Sequence, residues 1–236
     1  MASRSSLIIG NGEIGKALKI VLEKKSKVDI RDIESTDIYA PKILHICYPY
    51  SDSFVETTRG YMERYNPDLV IIYSTVAIGT CDQLGAVHSP IEGRHPDLAE
   101  SIMVVPRWLG SSDEKALKMA REFWRPLVKI IRVVPKADMT EFLKLRSTAR
   151  FGINLVFADY ENKVAKELEM PWKNLVQFDS DYNDMYDYLG YIENKRYLLF
   201  PPDGEIGGHC VVPNAKLLDK QFPDKWLKEI IRMGKK

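Results

Sequence analysis

The sequence predicts an α/β protein, with a parallel sheet in the first half followed by a mainly helical half built on one long helix. Three observations carry this. Short apolar runs alternate with stretches of helical periodicity as far as Val134. A glycine turn, "GNGEIG", joins the first apolar run to the first helical stretch. From Lys136 to about Met170 the chain keeps helical character with no proline. The expected domains are residues 1–135 and 136–236.

In chain order, "SLIIG" reads as a strand, "EIGKALKIVLEKK" as a helix and "KVDIRD" as a second strand. The apolar runs "KILHICYP", "PDLVIIYST", the Val87 region and "SIMVVP" continue the pattern, with "SDSFVETTRGYMERY" helical between them. "SDEKALKMAREFWRPL" opens on a capping-box pattern at Ser112, and "KIIRVVP" closes the half as a last strand. Pro171 is expected to stop the long helix. The Tyr- and Asp-rich stretch after it reads as loop or short helix, and the chain ends with helical periodicity and a basic tail.

The bulk numbers describe an ordinary protein surface. Of 236 residues, 45% are hydrophobic and 28% charged, with a net charge of +1. That balance gives no electrostatic reason to expect nucleic acid or an acidic membrane as partner. Cys47, Cys81 and Cys210 are odd in number and far apart, so no disulfide framework is expected. No pair has zinc-site spacing, and His45, His88 and His95 are scattered, so no metal site is expected. "MASRSS" leads straight into a strand, and the expected location is cytoplasmic.

"GNGEIG" places Gly10, Gly12 and Gly15 in a G-x-G-x-x-G pattern between a strand and a helix, with Asp32 at the end of the next strand. This is the fingerprint of a Rossmann-type, doubly wound dinucleotide-binding sheet. The first glycine permits the tight turn, the second admits a pyrophosphate, and the third lets helix and strand pack closely. Phosphates would sit at the helix N-terminus, against the backbone of Glu13 and Ile14. Asp32 would accept from ribose hydroxyls, which favours NAD, while Arg31 leaves room for the phosphorylated cofactor. Tyr48 and Pro49 in "CYPY", and Ser74 and Thr75 in "YSTVAIGT", follow strands and belong to the same carboxyl edge. Late in the chain, "GEIGGHCVVP" sets two glycines before His209 and Cys210. The residues alone leave Cys210 open as a small core side chain or a thiol presented to a substrate.

Together, G-x-G-x-x-G, "STVAIGT" and "GGHC" resemble the nucleotide-sugar dehydrogenases, those of UDP-glucose, GDP-mannose and UDP-N-acetylmannosamine. The family's middle loop reads S-T-V-P-P-G-T, and its thiol motif in the N-acetylmannosamine branch G-G-H-C-I-P-V-D. "KLRSTARFGINLVFA" is similar to the branch's K-L-A-E-N-T-F-R-D-V-N-I-A-F-A, coinciding at Lys144, Leu145, Asn154, Phe157 and Ala158. The resemblance implies NAD-dependent oxidation of a sugar hydroxyl. Cys210 would be the nucleophile that captures an aldehyde as a thiohemiacetal, Lys144 the cation beside the developing oxyanion, and Thr75 an orienting hydroxyl. It also implies a homodimer formed through the long helix.

The chain departs from that pattern. The family's asparagine one turn after the lysine is Thr148, and its aspartate four residues after the cysteine is Asn214. An amide cannot handle protons as a carboxylate does. Glu92, in "SPIEGRHPDL", sits one position late relative to the family's proline-glutamate segment. Only a short tail follows Asn214, so the family's third, nucleotide-gripping domain is expected to be missing. Two further functions therefore stay open: a two-electron dehydrogenase of the hydroxyacid or phosphogluconate type, and an NAD-binding protein without turnover.

Overall fold

The computed structural model describes residues 5–32, 40–93 and 96–234; His95 lies outside them. Packing divides the chain into two compact units, Met1–Lys144 and Leu145–Lys236. The division falls inside the long helix; the sequence reading placed it ahead of that helix, at 135/136.

The strands of the first unit are β1 (Ser6–Ile9), β2 (Val28–Arg31), β3 (Ile43–Ile46), β4 (Leu69–Ile72), β5 (Val87–His88), β6 (Arg107–Gly110) and β7 (Ile131–Val134). They form one sheet in the order β2-β1-β3-β4-β5-β6-β7. Its pairs are parallel except β5 with β6, which meet antiparallel at His88 and Gly110. The mostly parallel, doubly wound α/β architecture matches the expectation. The β1, β3 and β4 runs are apolar apart from Ser6 and His45 because both faces are covered. Ile8, Ile43, Leu69 and Ile71 point into one core with Leu18 and Val21 of α1 (Glu13–Leu22) and Trp124 of α5 (Glu114–Trp124). Leu7, Ile9, Leu44, Ile46, Val70 and Ile72 enter the other, against Phe54 and Tyr61 of α2 (Phe54–Tyr65). Each such buried Leu or Ile contributes about 1.5–3 kcal/mol.

Two local expectations are corrected. "SIMVVP" is not a strand: after the short α3 (Thr80–Gln83), Leu98–Val104 forms a helix, α4, and the strand is the following "RWLG". Its apolar residues are buried one turn apart, at Leu98 and Ile102, while Val104 is 71% exposed, which is helical rather than strand periodicity. The cap of α5 is Asp113 rather than Ser112: its carboxylate accepts from Lys115 and Ala116 N–H. Ser112 instead donates to Asp82 at 3.0 Å.

The long helix is α6, Ala137–Glu167. It ends before Pro171, in a motif with Glu169 in the left-handed region (φ 52°) and Met170 N–H donating to Ala165 at 2.8 Å. The Tyr- and Asp-rich stretch after it is a full helix, α7 (Trp172–Leu189), not a loop. Propensity argues weakly against a helix there. Ring contacts one turn apart, Phe178 with Tyr182 at 5.2 Å and Tyr182 with Tyr186 at 6.1 Å, hold it. The second unit closes with α8 (Val211–Gln221) and α9 (Lys225–Arg232), separated at Pro223. Gly152 of α6 lets both approach: a Cβ there would stand 2.8 Å from Val211 and 2.9 Å from Ile230. No helix among the described residues is long and apolar enough to cross a membrane.

Candidate functional site

In an open α/β sheet, ligands bind beyond the carboxyl ends of the strands where the strand order reverses. Here the chain leaves β2 at one side of β1 and returns on the other as β3, so the switch point lies beyond β1 and β3. Gly10 ends β1 with φ 110°, and a Cβ there would come within 2.8 Å of the Cys47 and Tyr48 backbone. Gly15 packs closer still, its missing Cβ only 2.0 Å from the Gly10 carbonyl oxygen. Gly12 caps α1 with no side-chain hydrogen bond, and nothing lies within 4 Å of where its Cβ would be. Glu13 and Ile14 supply the first N–H groups of α1, at the positive end of a helix. Glu13 places its own carboxylate in that first turn. Asp32, exposed, follows β2.

The loops after β3 and β4 meet through their backbones. Ser74 donates to the Tyr48 carbonyl at 2.6 Å, so its hydroxyl ties two loops together. The Tyr48 ring is buried and shares a 2.5 Å hydrogen bond with Thr58; what it offers at the edge is main chain. Pro49 is exposed beside it, and Thr75 is half-buried. The "STVAIGT" loop is held from α6: the Glu141 carboxylate accepts Gly79 N–H at 2.6 Å and Cys81 N–H at 2.8 Å. Burial pushes the Glu141 carboxyl up, against the pull of those donors. His88 Nδ1 pairs with Thr140 at 2.8 Å, and burial lowers the ring to about 3. His45, paired with the Tyr73 hydroxyl at 2.9 Å, is also pushed down to about 3 by burial. Both are neutral core histidines.

Lys144, one turn after Glu141, donates to the Ile91 carbonyl at 2.6 Å and lies 3.7 Å from the Glu92 carboxylate. Its side chain is 18% exposed. Glu141 is the group the sequence reading passed over here; Glu92, which it set one position late, is the carboxylate beside Lys144. The signal for Glu141 was its place three residues before Lys144, on a neighbouring helical face.

In the second unit, Cys210 is exposed at the N-cap of α8, so the thiol is not a core side chain. His209 beside it is exposed as well. Gly204 (φ 75°) and Gly208 (φ 87°) shape the loop before it. One residue pins that loop: Ile206, 2% exposed, whose N–H donates to the Met233 carbonyl at 2.7 Å. Asn214, one turn into α8 and 6% exposed, donates Nδ2 to Thr148 Oγ1 at 3.2 Å. The two departures from the family pattern are thus partners.

No protein-family model matches the chain. The UDP-N-acetyl-D-mannosamine dehydrogenase of Methanocaldococcus jannaschii is 23% identical over 172 residues, covering 69% of this chain and 37% of that protein. The solved UDP-D-ManNAc dehydrogenase of Pyrococcus horikoshii superposes with TM-score 0.77 at 18% identity, covering 98% of this chain and 68% of that one. The 3-hydroxyisobutyrate dehydrogenase of Mycobacterium tuberculosis gives TM-score 0.73 at 12% identity, covering 98% and 92%. The resemblance to nucleotide-sugar dehydrogenases is therefore carried by sequence and by fold, over part of those chains' length.

Proposed function

We propose that this chain is an NAD-dependent oxidoreductase that oxidises a hydroxyl of a sugar or nucleotide-sugar-like substrate. The observation that carries the cofactor is the open cradle at Gly12, at the head of α1 and beyond the β1–β3 switch point. Gly10, Gly12 and Gly15, with the N–H groups of Glu13 and Ile14, would hold a pyrophosphate there. Asp32 would take the ribose hydroxyls, and the backbone of Tyr48 and Pro49 with Ser74 and Thr75 would line the edge. NAD would supply a two-electron acceptor. The relatives' names support this reading, which is of the type 23% identity to a nucleotide-sugar dehydrogenase suggests.

The chain's own residues divide the remaining work. The Lys144 ammonium, resting on the Ile91 carbonyl, would stabilise negative charge developing on the substrate oxygen. Thr75 would orient the hydroxyl. The Cys210 thiolate, presented at the N-terminus of α8, would add to an aldehyde and form a thiohemiacetal. Asn214 and Thr148 would fix the turn beneath it. A second reading has one observation in its favour: Asn214 is an amide that can neither take nor give a proton. A two-electron oxidation that stops before any hydrolytic step needs no base there. Exposed Phe151, Phe157 and Tyr160 on α6, with Phe178, Met185 and Tyr188 on α7, support a homodimer formed along the long helix.

Thermal shift with NAD and NADP tests the cofactor, and no shift with either rejects it. Absorbance at the NADH band with a panel of sugars and nucleotide sugars then separates an enzyme from a binding protein. The yield of NADH per substrate separates two-electron from four-electron chemistry. Light scattering of the eluted protein reads the oligomer.

A further inference from the structure

Arg107, the first residue of β6, is 1% exposed. A buried guanidinium is costly unless its donors are satisfied, and among the described residues no carboxylate hydrogen-bonds it. Nη1 donates to the Pro90 carbonyl at 3.0 Å, Nη2 to the Ile102 carbonyl at 3.1 Å, and the group lies 4.7 Å over the Trp124 ring. Burial lowers its pKa to about 10, with Tyr73 and Glu92 acting the other way, so it is charged at neutral pH. The two carbonyls belong to different segments. Ile102 is in the last turn of α4, where carbonyls lack helical partners. Pro90 starts the short segment whose next two residues meet Lys144.

That segment is gripped by two cations. Arg107 holds the Pro90 carbonyl from β6, and Lys144 holds the neighbouring Ile91 carbonyl from α6 at 2.6 Å. Glu92, next in line, is 3.7 Å from Lys144 and close enough to act on Arg107. A Met or Leu in place of Arg107 would fill the volume, but would let Pro90 go and remove the charge that Glu92 shares. The geometry points to Arg107 as a positioning residue, fixing through the Pro90 carbonyl the 89–92 segment on which the Lys144 ammonium rests. Its functional weight rests on the reading of Lys144 as the cation of the dehydrogenase site.

The test reads Lys144 itself. In protein labelled with 13Cε-lysine, the Lys144 resonance is assigned by its loss in Lys144→Arg, then followed in Arg107→Met and Arg107→Lys. The expected result is a displaced Lys144 signal in Arg107→Met, partly restored in Arg107→Lys. Other lysine signals and the NAD dissociation constant stay within about twofold of the parent. A folded Arg107→Met whose Lys144 signal is unchanged overturns the proposal. If Arg107→Met does not fold, Arg107→Lys decides, because an ammonium cannot span both carbonyls as the planar guanidinium does; an unmoved Lys144 there overturns it equally. Once a substrate is found, kcat should fall at least about tenfold in Arg107→Met with KM nearly constant, as expected for a group that acts at the transition state. A displaced Lys144 signal in a protein that turns over nothing would sink the dehydrogenase reading and leave the positioning role standing.

Discussion

Asn214 Nδ2 donates to Thr148 Oγ1 at 3.2 Å, while the Thr148 hydroxyl donates to the Leu145 carbonyl at 3.0 Å. The threonine has one proton to give and gives it to its own helix, so the lone pairs it turns toward α8 ask for a donor. Asn214 supplies one from a 6% exposed position. Its own N–H takes the Cys210 carbonyl at 3.1 Å, so the pair sits one turn beneath the thiol.

Asn214→Asp should therefore destabilise the protein at pH 7, by about 1–3 kcal/mol, because acceptor would face acceptor in a buried place. Adding Thr148→Asn, whose amide can donate to that carboxylate, should recover most of the loss. A double-mutant cycle by urea unfolding measures the coupling. Additive changes, or an Asn214→Asp protein as stable as its parent, would show that the pair is not matched in this way.

The cradle at α1 makes a prediction of opposite sign at two neighbours. Gly12→Ala adds a methyl into space with nothing within 4 Å, so the melting temperature should hold. NAD affinity should fall about tenfold, since the methyl occupies the pyrophosphate's approach. Glu13→Gln removes an anion from the first turn and should tighten NAD about two- to fivefold. Calorimetric titration reads both. Unchanged affinity in both variants would move the cofactor elsewhere.

Much of this was legible beforehand, and the rest was hidden for physical reasons. The sheet could be read because β1, β3 and β4 are buried on both faces and so are mostly apolar. The α4 run could not, since Ile102 to Val105 look like a strand until one sees which side is covered. Helix α7 is held by ring pairs, such as Phe178 with Tyr182, that composition disguises as loop. At the site, Gly10 and Gly15 announced themselves because the turn and the close packing there leave no room for a side chain, and Gly12 through its spacing between them. Glu141 and Arg107 did not, since their partners are main-chain groups of Gly79, Cys81, Pro90 and Ile102, and a carbonyl or an N–H leaves no mark on the sequence.

The three cysteines should react in sharply different ways. Cys210 is exposed, while Cys47 is half-buried and Cys81 buried, and burial raises both of the latter. At pH 8, iodoacetamide should label one thiol quickly in the folded protein, and all three only after unfolding. Peptide mapping by mass spectrometry identifies the site. Equal, slow labelling of all three thiols in the folded protein would overturn the exposed position of Cys210.

Acid should unfold this protein from the first unit. His45 and His88 are held neutral in the core, with pKa lowered by burial from 6.5 to about 3. Below pH 6.5 the unfolded chain binds a proton on each ring that the native chain refuses, so the unfolded state carries more protons and stability falls as pH falls. The full contribution is present above pH 6.5 and declines toward pH 3. Between pH 7 and 5 the two rings should together cost roughly 3–4 kcal/mol. Glu141 works the other way, because its raised carboxyl keeps a proton in the folded state that the unfolded chain has already lost. That softens the slope just above the ordinary carboxylate range. Chemical unfolding at a series of pH values gives the slope directly, and His45→Gln or His88→Gln should each remove about half of it. A free energy of unfolding that is level from pH 7 to pH 5 would mean that the rings accept protons in the folded state, and that burial does not hold them neutral.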